Sequence, residues 1–271
     1  MRRALGLLVL AVFASFAGPL RAAEVDLEVV LAADVSRSID DAEFELQRKG
    51  YAAALTDPRV LKAIASGPHH AIALTFVEFS GDADQQIVVP WTALRDEEGA
   101  GVVAAKLLRA PRSFMGRTSI SRAIDFSVAQ FAAAKWQATR RVIDVSGDGT
   151  SNSGPELRKA RRAALARGIT INGLAIINDR PDMSFSVHTH PPGGLPHYFR
   201  RRVIGGPGAF LIVVKDFKSF ADAMANKLAR EINIASPSSY RRKPVSTAEM
   251  GPGFRWDDRE GKAGNRPNPD H

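Results

Sequence analysis

The chain has 271 residues, 45% of them apolar and 24% charged, so it can form a sizeable globular core. Much of its net charge of +8 comes from the two ends, where arginines such as Arg2 and Arg3 and the run Arg241–Lys243 lie. The remaining chain is nearly balanced, which gives no electrostatic case for nucleic-acid binding.

Residues 1–23 have the pattern of an export signal. The basic start MRR precedes the apolar stretch ALGLLVLAVFASFAGPL, and small residues allow cleavage after Ala17, Ala22 or Ala23. The stretch is short for a membrane span, so we expect cleavage and no stable membrane insertion, with an uncleaved anchor as the alternative. The chain has no cysteine, which excludes lipid attachment through cysteine and disulfide bonds. The sequence predicts a periplasmic or secreted protein with a Sec-type signal peptide that is not a lipoprotein.

Strand-like and helix-like segments alternate after this leader. Apolar or alternating runs predict strands at residues 25–34, 71–80, 85–91, 140–149 (with a glycine turn), 169–177 and 209–215. Amphipathic runs predict helices at residues 40–57, 96–109, 118–135, 155–168 and 219–235. We therefore expect one α/β domain over residues 24–235, with a mostly parallel sheet covered by helices on both faces. The Ser-, Pro- and Arg-rich residues 236–271 predict a disordered tail.

Three polar fragments fall at predicted strand ends or at the helix starts beside them. They are DVSRS at 34–38, GRTS at 116–119 and DVSGDG at 144–149. Ligands of open parallel sheets gather at this rim. The fragments offer two carboxylates and three hydroxyls: Asp34, Ser36, Ser38, Thr118 and Asp148. Such donors suit Mg²⁺, Mn²⁺ or Ca²⁺ and disfavour zinc or copper. With only two acidic donors, a bound ion would keep water and accept an acidic side chain from a partner.

The same residues also fit ordinary structural roles. Ser36, Ser38 and Asp40 have the chemistry of helix caps, as do Thr118 or Ser119. Asp148 and the glycine after it fit a turn. Capping and metal ligation are compatible. An EF-hand calcium loop over residues 144–156 is rejected, because proline stands where its twelfth residue, a glutamate, belongs.

The order of these fragments resembles the metal-ion-dependent adhesion site (MIDAS) of von Willebrand factor A (vWA) domains. PRSFMGRTSISRAIDFS, RRVIDVSGDGTSNSG, ARGITINGLAI and VIGGPGAF are similar to a domain-of-unknown-function family of exported, vWA-like proteins of Gram-negative bacteria. The resemblance covers roughly residues 25–235 and implies the three-layer, Rossmann-like vWA fold. It implies hydroxyl ligands from Ser36, Ser38 and Thr118, with Asp34 and Asp148 acting directly or through water. The closer family has no assigned activity.

Few motifs in the sequence indicate an enzyme. The sequence VSGDG around Ser146 is not a G-x-S-x-G nucleophile motif, and GGPG at 205–208 is not a dinucleotide fingerprint. A metal-dependent hydrolase would need a general base, for which Glu78 is the candidate. We therefore expect an interaction module that binds an acidic group of a protein partner through the cation. A metal-dependent hydrolase and a metal-free structural domain are the alternatives.

Residues 178–208 are predicted to form a long loop at the same rim. Three of its histidines form a candidate transition-metal set: His188, His190 and His197. No acid stands at a diagnostic spacing from them, and we expect a flexible polar loop instead. We also expect a recognition surface beside the metal, with a solvated basic turn as the alternative. Its residues would be Tyr198, Phe199 and Arg200–Arg202.

Overall fold

The computed structural model describes residues 23–177 and 186–235, so the predicted leader and tail lie outside the described residues. Within these ranges the strands are β1 (Ala23–Val25), β2 (Leu27–Asp34), β3 (Ile72–Phe79), β4 (Gln85–Leu94), β5 (Trp136–Ala138), β6 (Arg141–Gly147), β7 (Thr170–Ile176) and β8 (Leu211–Val214). The helices are α1 (Asp41–Leu55), α2 (Pro58–Ala65), α3 (Glu97–Arg109), α4 (Ile120–Gln130), α5 (Leu157–Ala166), α6 (Ser186–Thr189), α7 (Leu195–Tyr198) and α8 (Phe220–Ala235).

The main sheet has the strand order β4-β3-β2-β6-β7-β8. In this order, β3, β2, β6, β7 and β8 pair in parallel, whereas the edge strand β4 runs antiparallel to β3. Every residue of β2 and β3 is buried, which explains their nearly continuous apolar sequences. Pro90 lies in the edge strand β4, where a missing backbone N–H is tolerated.

Helices cover both faces of this sheet, as the sequence predicts. Successive side chains of β2 point to opposite faces, so Leu31 packs into one apolar cluster and Val30 into the other. The first cluster receives residues of α1, α2, α3 and α8, including Tyr51. The second receives residues of α4 and α5, including Ile124. The α/β class and the three-layer arrangement are confirmed.

Three local predictions differ from the structure. The helix predicted at 118–135 ends at Gln130, and the chain then forms β5, which pairs with β1 in a separate two-stranded sheet. Helix α2 was not predicted, although Asp57 caps it and Pro58 begins it, an established start signal. The predicted loop is wrong for its described part, because α6, α7 and a π-helical turn at Phe199–Val203 lie there.

The helices of residues 23–177 and 186–235 do not include a candidate membrane span. None of them combines the length and the apolar character that crossing a bilayer requires.

Candidate functional site

The three predicted fragments meet at the carboxyl ends of β2 and β6. These strands are parallel neighbours, and Ala33 pairs with Ser146 close to those ends. Asp34 ends β2, and Asp148 directly follows β6. The turn after β2 carries the two serines, and Thr118 stands just before α4. All five predicted donors are at most 2% exposed.

Short contacts join four of these residues. The Ser38 hydroxyl donates to Asp148 Oδ1 over 2.7 Å, and the Oγ atoms of Ser36 and Ser38 are 3.2 Å apart. The Ser36 backbone N–H donates to Asp34 Oδ1 over 2.8 Å. Thr118 lines a cavity of about 20 Å³ together with both serines. That space holds about one water molecule.

The environment of Asp34 disfavours its charged form. Burial, together with the negative charge of Asp148, raises the pKa of Asp34 to about 8. Asp34 Oδ2 is buried and accepts no hydrogen bond from the described residues. Among those residues, no Lys or Arg lies within ion-pair distance of Asp34. An unpaired buried carboxylate is costly, and a cation among these oxygens would remove the cost.

The five donors therefore fit a hard divalent cation. They do not form a metal site made of acids and imidazoles alone. Within the described ranges, no three or more His, Asp or Glu side chains are grouped to hold a metal ion. The fit depends instead on the mixture of two carboxylates with three hydroxyls, which is typical of oxygen-preferring cations. The metal role of the five residues stays a prediction.

Arg112 holds the turn that carries the serines. Its Nη2 donates to the carbonyl oxygens of Val35, Ser36 and Ile39 over 2.8–2.9 Å. The turn is also tied to the second fragment, because the Arg37 N–H donates to the Gly116 carbonyl over 3.0 Å. These bonds fix the backbone from which the hydroxyls project, as a preorganised site requires.

Helix capping does not account for the hydroxyls. Asp40, one of the predicted caps, caps α1 and forms a capping box with Glu43, so Ser36 and Ser38 are not its caps. Ser119 caps α4, which leaves Thr118 outside the cap. The capping alternative is thus right for Asp40 and Ser119 and wrong for the three predicted hydroxyl ligands.

The segment after β6 closes over Thr118. Asn152 Oδ1 accepts the Thr118 N–H over 2.9 Å, and the Thr118 carbonyl accepts the N–H groups of Asn152 and Ser153. Ser151 Oγ accepts the first N–H of α4, from Ile120, over 3.1 Å. From the sequence alone, no role is assigned to the TSNS stretch at 150–153, so this one is missed.

A histidine also reaches the site. His188 Nε2 lies 3.1 Å from Thr118 Oγ1, and His188 Nδ1 lies 3.0 Å from Thr150 Oγ1. Burial, with the nearby Arg117 and Arg37, lowers the pKa of His188 to about 4, so its ring is neutral at neutral pH. The three-histidine metal set is wrong for the described residues, where no such cluster exists. The signal for His188 alone was its position in a segment that leaves the same rim.

Glu78 is not a free general base. Its Oε1 pairs with Arg48 Nη2 at 2.5 Å inside the protein, and its Oε2 accepts the Ser113 N–H over 2.9 Å. Both side chains of the ion pair are buried. The prediction that Glu78 could activate water is therefore wrong, and the hydrolase alternative loses its candidate base.

The predicted recognition surface is exposed only in part. Phe199 is fully buried in the core, so its place on that surface is wrong. Arg200–Arg202 are exposed. A cleft of about 430 Å³ is lined by Pro191, Pro192, His197, Tyr198, Arg201 and Arg202. The Tyr198 hydroxyl accepts the Ser151 N–H over 3.1 Å, which joins this cleft to the segment that closes over Thr118. A recognition role for this surface stays a prediction.

A comparison with protein families identifies the chain's relatives. Residues 24–236 match the model of a family described as protein of unknown function DUF1194. The chain belongs to this family. A comparison with curated proteins gives no match.

Solved structures show the same fold in other proteins. Proximal thread matrix protein 1 from the mussel byssus is 15% identical with a TM-score of 0.56, and the match covers 76% of this chain and 48% of that one. The pilus adhesin SpaC of Lactobacillus rhamnosus GG is 13% identical with a TM-score of 0.55, covering 79% and 30%. A von Willebrand factor type A protein from Catenulispora acidiphila is 16% identical with a TM-score of 0.53, covering 77% and 43%.

These likenesses establish the fold and no more. The match spans about half or less of the length of each of these proteins. A further structure of the mussel protein, 16% identical with a TM-score of 0.50 over 78% of this chain and 48% of that one, has a zinc-occupied MIDAS motif. The DUF1194 chain described here is thus vWA-like in fold.

Proposed function

We propose that this DUF1194 protein is an exported vWA-like interaction module that binds a protein partner through a divalent cation. The cation would lie at a MIDAS-type site formed by Asp34, Ser36, Ser38, Thr118 and Asp148. Mg²⁺ is our first candidate, followed by Mn²⁺ and Ca²⁺. The observation that carries the proposal is the buried Asp34–Asp148 pair, which lies among hydroxyl donors without a Lys or Arg ion pair to Asp34 in the described residues.

Each group has a distinct role in this proposal. The hydroxyls of Ser36, Ser38 and Thr118 hold the ion with neutral oxygens, which leaves much of its charge uncompensated. Asp34 and Asp148 hold it directly or through water. When bound, the ion supplies the positive charge to which a carboxylate of the partner binds.

The surface around the cavity supports an acidic partner. Arg37 and Arg117 line the cavity, and both are exposed. Arg201 and Arg202 add positive charge in the neighbouring cleft. Met115, which is 63% exposed beside the second fragment, offers an apolar contact. Such positive surfaces accelerate association with acidic partners and favour them over basic ones.

Two features outside this geometry support the proposal. The zinc-occupied MIDAS motif of the mussel protein is a case of a divalent cation held in a protein of this fold. The export signal predicted in residues 1–23 supports a periplasmic or secreted location, where an interaction module would meet envelope or extracellular partners.

Calorimetric titration with Mg²⁺ and Mn²⁺ tests the cation site. We expect saturable binding to the wild type and none to Asp148→Ala, with Asp82→Ala, an exposed acid outside the cluster, as the matched control. Absence of binding to the wild type would leave a structural vWA domain as the function.

Affinity capture from envelope extract tests the partner. A partner retained by the Mn²⁺-loaded wild type should be released by EDTA and should not bind Asp148→Ala. Its binding should also weaken when acidic residues at its contact site are replaced by amides. Retention that is insensitive to EDTA would contradict the cation-mediated mechanism, and metal-dependent phosphatase or esterase activity would favour the hydrolase instead.

A further inference from the structure

His188 lies closer to the site than any sequence motif suggested. We propose that His188 Nε2 is itself a ligand of the cation, so that the site is a mixed oxygen and nitrogen site rather than one of oxygen alone. This inference rests on the cation of the proposed function and concerns which ions the site selects. Three features of the described residues carry it.

The first feature is distance. His188 Nε2 lies 3.1 Å from Thr118 Oγ1, nearly the same separation as the 3.2 Å between the Oγ atoms of Ser36 and Ser38. Two ligands at right angles, each roughly 2.1 Å from an ion, lie about 3.0 Å apart. His188 also lines the same small cavity as Thr118 and the two serines. The imidazole is thus placed as a neighbouring ligand would be.

The second feature is the orientation of the ring. Thr150 Oγ1 lies 3.0 Å from Nδ1, and the Thr150 N–H donates to the His188 carbonyl over 3.1 Å. When Nδ1–H donates to this hydroxyl, the lone pair of Nε2 faces Thr118. Metal-binding histidines are oriented in this way by a hydrogen bond at the other ring nitrogen.

The third feature is Gly149. A Cβ atom at this position would lie 2.2 Å from His188 Nε2, far inside contact distance. Gly149 is not among the described glycines with a positive φ, so its backbone conformation does not demand glycine. Glycine is required here because the imidazole approaches so closely. The histidine ring therefore packs directly against Gly149, in the Asp148–Gly149 pair that the sequence predicts to be a turn.

A histidine ligand changes which metal ions the site prefers. Imidazole binds Mn²⁺ more strongly than Mg²⁺, and Zn²⁺ more strongly still, because affinity for nitrogen ligands rises along the first transition row. We therefore expect the site to prefer a transition-metal dication over Mg²⁺ or Ca²⁺. This reverses the ranking made from the oxygen donors alone, in which Mg²⁺ stands first and zinc is disfavoured.

Pulsed electron paramagnetic resonance of the Mn²⁺-loaded full chain tests the bond directly. A nitrogen ligand gives ¹⁴N modulation of the Mn²⁺ echo. We expect this modulation in the wild type and in His190→Ala, a matched change in the same segment at an exposed histidine. It should be lost in His188→Ala and in His188→Gln, which keeps a polar side chain if the alanine variant folds poorly.

Calorimetry with Zn²⁺ and Mg²⁺ gives the second readout. Loss of the imidazole should weaken Zn²⁺ binding at least about tenfold and Mg²⁺ binding less. Mn²⁺ bound to the wild type without ¹⁴N modulation would overturn the role of His188 while leaving the proposed function intact. Absence of any Mn²⁺ binding would overturn both, so the two failures are distinguishable.

Discussion

Two groups of buried carboxylates, one along β6 and one at its end, differ in how their charge is neutralised. In the interior, Asp144 of β6 lies 2.5 Å from the ammonium of Lys227, which is also 2.5 Å from Glu231 Oε1. At the rim, Asp34 lies beside Asp148, and among the described residues no Lys or Arg is within ion-pair distance of Asp34. Within the described residues, Lys227 thus forms ion pairs with the interior group, whereas the positive charge of Arg112 acts on Asp34 only from beyond ion-pair distance.

This difference separates a structural cluster from a binding site. Lys227 is completely buried, and Asn172 Nδ2 donates to Glu231 Oε1 over 2.8 Å, so the protein itself supplies the counter-charge of the interior group, although Asp144 Oδ2 and Glu231 Oε2 accept no hydrogen bond from the described residues. A buried lysine requires such partners. The rim group combines a buried oxygen of Asp34 that accepts no hydrogen bond from the described residues with hydroxyls around a small cavity. We interpret the position beside Asp34, which has no ion pair among the described residues, as the place of an external cation.

The largest expected effect comes from removing the internal cation. Lys227→Met should lower the free energy of unfolding by about 3–5 kcal/mol, because Asp144 and Glu231 would remain buried without their ammonium. Urea denaturation measures this change. Lys49→Met is the matched control, since Lys49 makes an exposed ion pair with Glu45 and should change stability little. Equal stability of Lys227→Met and wild type would remove the contrast between the two groups.

The second-largest expected effect on stability comes from adding the cation at the rim. Mn²⁺ at about one hundred times its dissociation constant should stabilise the wild type by about 2.7 kcal/mol and leave Asp34→Asn unchanged. Without metal, Asp34→Asn should be at least as stable as the wild type, because an amide has no charge to bury at any pH, whereas Asp34 must either retain a proton or bury its charge. Thermal unfolding with and without Mn²⁺ measures both. Equal stabilisation of both proteins by Mn²⁺ would place the ion elsewhere.

These two groups also show what the sequence could predict. The strand ends and the polar fragments at them were readable, because buried parallel strands leave nearly continuous apolar runs and ligands gather at their carboxyl ends. The Asp144–Lys227 contact could not be predicted from the sequence, because it joins the interior of a strand to a helix far along the chain. Neither residue stands in a motif that predicts the pair. His188 was visible as a residue, but its contact with Thr118 depends on how α6 returns over the rim.

The pH dependence of stability sharpens the comparison further. Burial raises the pKa of Asp34 to about 8 and that of Asp144 to about 7, so the ion-free folded protein retains protons that an unfolded chain releases at about pH 4. The unfolding free energy should therefore fall as the pH rises from about 4 to 8, by up to about 1.4 kcal/mol per pH unit for one proton. Urea midpoints at about pH 5 and about pH 8 measure this.

The comparison with Asp34→Asn isolates the rim. Between about pH 5 and about pH 8, this variant should lose less stability than the wild type. At about pH 8, Mn²⁺ should restore stability to the wild type but not to Asp34→Asn. Identical pH profiles of the two ion-free proteins would mean that Asp34 does not carry a raised pKa.

The smallest expected effect comes from a single hydroxyl. Ser38→Ala removes the 2.7 Å hydrogen bond to Asp148 Oδ1, and we expect the ion-free protein to lose about 1 kcal/mol of stability. Its Mn²⁺ affinity should fall as well, which calorimetry measures. Ser66→Ala, at an exposed hydroxyl that donates to a carbonyl of its own helix, is the control for stability and should leave Mn²⁺ affinity unchanged. Unchanged affinity in Ser38→Ala would exclude this hydroxyl as a ligand.

The central claim is that the rim, where Asp34 has no ion-pair partner among the described residues, takes a divalent cation. Diffraction from crystals grown with saturating Mn²⁺, measured at the manganese absorption edge, tests it most directly. We predict an anomalous peak between the hydroxyls of Ser36, Ser38 and Thr118 and within reach of Asp148. A well-ordered rim with no anomalous peak, or a peak at another place on the protein, would contradict the claim.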